Sequence, residues 1–383
     1  MGRPAVASLS ALVLAACHCG ADRPPAPTSP AEEAALPAPE GCAEDVPALA
    51  GEVRQGVAYA HNYQHRGARG YGSEASRASR RELRALGVEW LAVTPFGFMR
   101  SVDDPTVRSA EGHAGAETDA RMVAELEGAR RDGFSIFLKP HLWIGGGAWR
   151  GDIAMGSAAG WERWLASYEA WILHYARMAA AHDVPLLAVG VELDAIVHRF
   201  PERWRALVAR VREVYDGGLV YAANWDRATE LPLWDAFDYV GVQFYPPLAD
   251  EPDAEGDALD ARMATYVEVL DRLHARTERP ILFTEVGYRS VEGAAVRPHA
   301  WPERDDGAPP VDHAAQVRAY RAFFAGVADR EWNAGVFVWK WFTDRDTDEE
   351  GPTGFSPRGK PAEAVLRAAY GGCDEVTPPR PPR

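Results

Sequence analysis

The sequence lacks an excess of positive charge, is poor in cysteine and contains no apolar run long enough to cross a bilayer. Asp and Glu number 56 against 41 Lys and Arg, for a net charge of −15. That balance disfavours nucleic acid and polybasic attachment to a membrane surface as roles. The apolar stretch in MGRPAVASLSALVLAACHCG (residues 1–20) is too short to span a membrane and reads as a signal peptide. No Gly-rich phosphate fingerprint follows the first strand-like run, which counts against an open, doubly wound sheet. No Gly-x-Ser-x-Gly elbow appears, which counts against a serine nucleophile. A metal hydrolase would need a His-x-His pair on its first strand. HNYQH instead offers His61 and His65 at the wrong spacing, and no other His pair completes a ligand set, so no metal is expected.

Four cysteines are present. LAAC (14–17) resembles a bacterial lipobox, which implies that Cys17 becomes the lipid-modified N-terminus of the mature protein. The alternative is an ordinary signal peptide cut a few residues away. Residues 1–17 are thus a leader with lipobox, and 18–45, rich in Pro and Ala and unable to bury a core, a flexible tether. The folded domain is expected over 46–373, with a disordered tail over 374–383. The expected location is the bacterial cell envelope, held by a lipid at the outer membrane or in the periplasm, or the medium if the protein is secreted. Cys42 and Cys373 bracket the folded region, and disulfides persist in an exported protein, so a bond between them is expected, with two free thiols as the alternative. Cys19 is left without a partner.

From Gly56 onward, short apolar runs recur with helical stretches between them. Eight are read as strands: 56–61, 88–94, 134–140, 186–192, 218–224, 238–244, 280–285 and 335–340. Apolar residues at helical spacing mark 161–182 and 203–215 as helices. The weak unit lies between the fifth and sixth strands, where only DRATELPLWDAF is available. Eight near-continuous apolar strands separated by helices predict an α/β fold, a (β/α)8 TIM barrel forming a single catalytic domain.

In such a barrel the active site lies at the carboxyl ends of the strands. Glu192 ends the fourth run and Glu285 the seventh. Strand alternation places Phe283 with Glu285 on one face, and Ala188 and Gly190 with Glu192, so the two acids are expected to face each other across the mouth. Two facing carboxyls are the equipment for cleaving a glycosidic bond: one protonates the leaving oxygen, and the other attacks the anomeric carbon or activates water. The rival reading pairs each Glu with an Arg or a helix end.

VGVEL on the fourth strand and FTEVGY on the seventh resemble the acid/base and nucleophile segments of the clan of (β/α)8 retaining glycosidases with catalytic glutamates on strands four and seven. VTPFGFM (93–99), FLKPHLW (137–143), VQFYPP (242–247), FVWKWF (337–342) and PRGKPAEAVL (357–366) extend the likeness over roughly residues 50–370. Within the clan the chain most resembles glycoside hydrolase family 113, known for endo-β-1,4-mannanases. The resemblance implies Glu192 as general acid/base, Glu285 as nucleophile, Tyr245 as the tyrosine that holds the nucleophile ionised, and Trp339 as the floor under the sugar being cleaved. Many clan members carry Asn just before the acid/base to bind the sugar 2-hydroxyl. Here that position is Val191, and Asn224 is the candidate substitute.

Lys139 and His141 end the third run on one face and are candidates for reaching sugar hydroxyls; an ion pair to a glutamate is the other role open to Lys139, and the two are compatible. Trp143, Trp149, Trp225 and Trp341 follow strand ends and are candidate sugar platforms, because flat rings pack against pyranose C–H groups. Trp161, Trp164 and Trp171 lie at helical spacing and are expected in packing. Segments 246–260 and 291–310 are expected to wall the cleft. The expected activity is hydrolysis of a β-linked polysaccharide or oligosaccharide, foremost β-1,4-mannan, by double displacement in a monomer. It needs no cofactor, and the membrane is met only through the lipid. The alternatives are another β-glycan, such as a xylan, glucan or galactan, and a surface lipoprotein that binds glycans without cleaving them.

Overall fold

A computed structural model describes residues 41–61, 69–109, 111, 116–300, 309–347 and 350–373. Cys17, Cys19, His65, the leader, most of the tether and the tail lie outside the described residues. Eight parallel strands close into a barrel: β1 (Arg54–Ala60), β2 (Trp90–Val93), β4 (Ser135–Leu138), β6 (Leu186–Val191), β7 (Gly218–Asn224), β8 (Tyr239–Phe244), β9 (Ile281–Val286) and β10 (Asn333–Phe342). They are the eight apolar runs in order, with ends shifted by a few residues. Two short strands were not foreseen. β3 (Phe96–Met99) and β5 (His141–Ile144) pair with each other beyond the ends of β2 and β4 and extend that side of the barrel mouth.

The outer layer is α1 (Glu74–Ala85), α2 (Asp119–Arg131), α3 (Ala158–Ala181), α4 (Asp194–Arg199), α5 (Pro201–Arg212), α6 (Gly256–Thr277), α7 (His313–Val327) and α8 (Ala362–Ala369). Short polar side chains start several of these helices by accepting orphan backbone N–H groups: Ser73 from Ser76, Ser157 from Gly160 and Asp312 from Ala315. Between β7 and β8 there is no α-helix, only a turn and a 3₁₀ segment at Trp234–Ala236, as the sparse DRATELPLWDAF stretch suggested. Gly241 allows that close crossing, because a Cβ there would lie 2.2 Å from the Tyr221 carbonyl oxygen.

Two apolar clusters follow from the strand pleat. Ala92, Phe137, Leu186, Ala188, Val191, Val220, Ala222, Leu282 and Phe337 fill the barrel interior, while alternate residues face the helices. Trp161, Trp164 and Trp171 pack in that helix-facing layer, where their helical spacing put them. Among the described residues no helix is long and apolar enough to cross a membrane. Cys42 is bonded to Cys373, with Cα atoms 5.9 Å apart. Ala43 and Leu49 also donate backbone bonds to Ala364 and Ala369, so the two ends of the domain meet.

Candidate active site

Simple alternation does not carry either glutamate to the mouth. On β9, Leu282 faces the barrel interior and Phe283 faces α7, where it packs on Phe323. The pairing with β8 then skips a residue, Val242 opposing Phe283 and Gln243 opposing Glu285. This one-residue bulge turns Thr284 and Glu285 both inward, so Phe283 and Glu285 do not share a face. On β6 the register slips between Ala188 and Gly190. Gly190 therefore faces outward, where a Cβ would meet Trp204 and Tyr221, and Val191 joins the interior. Glu192 reaches the mouth because its backbone is left-handed, φ +54°, a conformation that costs a non-glycine residue about 1–3 kcal/mol. β10 carries a third irregularity: Val57 and Tyr59 of β1 oppose Val338 and Trp341. Trp339 and Lys340 are thereby both left half-buried at the rim.

Glu285 is 4% exposed and sits in a shell of donors. Lys139 Nζ donates to its Oε1 at 2.5 Å, and the Tyr245 hydroxyl donates to its Oε2 at 2.9 Å. The remaining Lys139 donors reach Gln243 Oε1 (2.8 Å) and the Thr284 carbonyl (2.9 Å), so the ammonium is fully used. His141 Nε2 lies 3.6 Å from Glu285 Oε1. Burial first, then the Lys139 and Arg150 charges, push the His141 pKa well below its ordinary value, so the ring is neutral and the contact is not an ion pair. Burial also lowers Lys139, with Glu285 opposing. Tyr245 is pushed well above its ordinary range by burial and then by Glu285, and stays a neutral donor.

Glu192 also accepts three bonds. Arg150 Nη1 donates to Oε2 at 2.6 Å, Trp149 Nε1 to Oε2 at 2.9 Å, and Gln243 Nε2 to Oε1 at 2.8 Å. Burial raises the pKa of this carboxyl, but Arg150, Trp149 and Gln243 together outweigh it and hold it below the ordinary glutamate value. Arg150 is itself anchored by donating from Nε to the Leu142 carbonyl at 3.0 Å. Gln243 thus joins the two carboxyls, bonding Glu192 on one side and, through Lys139, Glu285 on the other. Two carboxyls at one barrel mouth, one buried among donors and one at the rim, can divide nucleophile and proton-donor roles on a glycosidic bond.

A family model for Glycoside Hydrolase Family 113 matches residues 60–360. The chain belongs to glycoside hydrolase family 113. Its barrel is similar to that of the family 113 β-mannanase AaManA from Alicyclobacillus acidocaldarius, solved with ManMIm, with TM-score 0.72 and 28% identity over 85% of this chain and 98% of that one. A family 113 β-1,4-mannanase in complex gives TM-score 0.70 at 24% identity over 84% and 99%. A Faecalibacterium prausnitzii β-glucuronidase, at 13% identity and TM-score 0.56 over 83% and 49%, shares the fold alone. No curated protein matches the sequence.

In this family 113 hydrolase the remaining expected site residues divide. Trp339 is half-buried at the rim and its ring is parallel to His141, centroids 6.4 Å apart. Trp143 and Trp149 are 52% and 51% exposed, open faces beside Glu192 and β5. Trp225 is half-buried against the edge of Tyr266. Asn224 donates from Nδ2 to Asp194 at 2.8 Å, so its amide nitrogen is already engaged. Two expectations are corrected. Trp341 is no platform: the bulge before it turns it outward, 1% exposed, donating to Ser79 Oγ at 3.0 Å. Lys139 does not reach sugar hydroxyls, because it is 0% exposed with every donor spent, and the ion-pair alternative describes it. The loops expected to wall the cleft touch each other, Leu248 N donating to the Ala295 carbonyl at 2.8 Å; 301–308 lie outside the described residues.

Gln243 and Arg150 were missed as site residues. A Gln ending an apolar strand, two residues before Tyr245, was the available signal for the first. Nothing in the sequence ties Arg150 to Glu192, 42 positions on.

Proposed function

We propose that this family 113 hydrolase cleaves β-1,4-linked mannan within the chain by double displacement, acting as a monomer. The observation that carries this reading is the donor shell of Glu285. A carboxylate that accepts from an ammonium and a phenol is fixed in position and oriented, as a nucleophile must be. Glu192, at the rim beside the exposed Trp149 ring, is the proton donor to the leaving oxygen and then the base that activates water. The names of the similar family 113 structures support mannan as the glycan. The LAAC segment and the Pro/Ala-rich tether support export to the cell envelope with Cys17 lipidated.

The test is reducing-sugar release from glucomannan, galactomannan, xylan and barley glucan, by wild type and Glu285→Ala side by side. Release from the mannans alone, lost in the variant, is the expected result. Proton NMR of the first product should show the β anomer before mutarotation, and an α anomer first would sink double displacement. Mass spectrometry of the exported protein should find a diacylated Cys17, and a free N-terminus beyond it would remove the anchor.

A further inference from the structure

Three residues past β9 the chain buries a second cation, which the site described above does not use. Arg289 is 8% exposed, and among the described residues it has no hydrogen bond or ion pair. Its neighbours turn away from the mouth. The Tyr288 ring lies against Tyr320 of α7, centroids 5.1 Å apart, and Ser290 Oγ donates to Gln316 of α7 at 2.8 Å. Arg289, between them, feels the charge of Glu350, which favours its protonated form. Glu350 is already committed: one oxygen is ion-paired with Lys340, and the other accepts from Phe355 N at 2.9 Å. Lys340 Nζ in turn lies 5.1 Å from the Trp339 ring centroid. Trp339, Lys340, Glu350 and Arg289 thus lie along the β9–β10 side of the mouth, two cations and one carboxylate among these four residues.

The guanidinium nitrogens are not sealed from solvent, so a ligand can reach them, and a cation of such low exposure with no acceptor among the described residues gains from a ligand that completes it. We propose that Arg289 is a recognition site for a carboxylate carried on the glycan, a uronic acid residue seated on the Trp339 side of the cleft. This rests on the reading of the mouth as a glycan cleft. A guanidinium presents a planar fork that a carboxylate fills with two parallel bonds, which neutral hydroxyls match less well. Burial works against the charge of Arg289 and Glu350 offsets that only in part, so an incoming carboxylate meets a cation with no hydrogen-bonded acceptor among the described residues. The chain as a whole, at −15, repels acidic glycans, which makes a local cation the feature that would admit one.

The test uses a β-1,4-manno-oligosaccharide and the same chain oxidised in part at C6 to uronic acid units. In wild type, kcat/KM for the oxidised chain should exceed that for the neutral one by about tenfold or more. In Arg289→Gln that ratio should fall towards one, and Arg289→Lys should lie between. A wild-type ratio of one or less overturns the proposal without any variant, and so does an equal ratio in wild type and Arg289→Gln. Free glucuronate is added as a competitor. Inhibition by it that depends on Arg289, with no preference for the oxidised chain, overturns the glycan assignment in favour of a small carboxylate. If neither chain is cleaved, the mannan reading fails; calorimetric binding of the two chains to wild type still decides this site, equal affinities counting against it.

Discussion

Gln243 donates from Nε2 to Glu192 Oε1 at 2.8 Å, and its own Oε1 accepts from Lys139, which donates to Glu285. One neutral side chain therefore orients both carboxyls and sets which atoms each presents to the cleft. Replacing Gln243 with Leu removes one bond from Glu192 and one acceptor from a fully buried ammonium. The expected result is a fall in kcat of about ten- to a hundredfold with the circular dichroism spectrum kept. Turnover within a factor of two of wild type would show that the bridge is incidental.

Arg150 should set the alkaline limb of the pH–rate profile. Glu192 must carry a proton to act as an acid, and Arg150 is the largest influence holding its pKa down. Arg150→Gln raises that pKa, so the alkaline limb of kcat/KM moves to higher pH. The stability sign runs the same way. A folded-state pKa below the unfolded one gives stability that is present above the unfolded pKa and is lost as pH falls through the folded one. Wild type should thus lose more stability than Arg150→Gln on acidification through that window. An unmoved limb would assign it to another group.

Lys139 and Glu285 are buried together, and removing one charge strands the other. Lys139→Met should cost about 3–5 kcal/mol by denaturant unfolding. Adding Glu285→Gln to that variant should recover much of the loss, because the stranded carboxylate goes too. Additive losses in the cycle would mean that the two charges are not coupled.

Glu192→Ala should lower kcat by about 10²–10⁴-fold on a mannan with a poor leaving group. The loss should shrink for an aryl glycoside whose leaving group needs no proton. An equal loss on both substrates would deny Glu192 the acid role.

The Cys42–Cys373 bond closes a loop of 331 positions. Exchanging both cysteines for Ser should lower stability by about 2–5 kcal/mol without touching kcat. A change in kcat at saturating substrate would mean that the ends of the chain reach the site.

The strands, and hence the barrel, were legible because each is a buried apolar run between polar segments, a pattern set residue by residue. Even the missing helix between β7 and β8 could be read from the shortage of apolar positions there. Glu192 and Glu285 were legible because each is an acid ending a buried apolar run, and Tyr245 and Trp339 through the resemblance of their segments to the clan's motifs. Trp341 misled because the eighth strand was read as ending at 340, whereas β10 runs to Phe342 and its ladder slips before Trp341.

The sequence by itself determined that eight apolar strands would form, in what order, and that two acids would end the fourth and seventh. Only the tertiary structure decided the bulges on β6, β9 and β10, since register depends on how neighbouring strands pair and twist in the closed barrel. It also decided that Gln243, Arg150 and Lys139 meet the two glutamates, and that Arg289 has low exposure and no acceptor among the described residues. Those contacts join residues more than forty positions apart, and no local pattern in the chain encodes such distances.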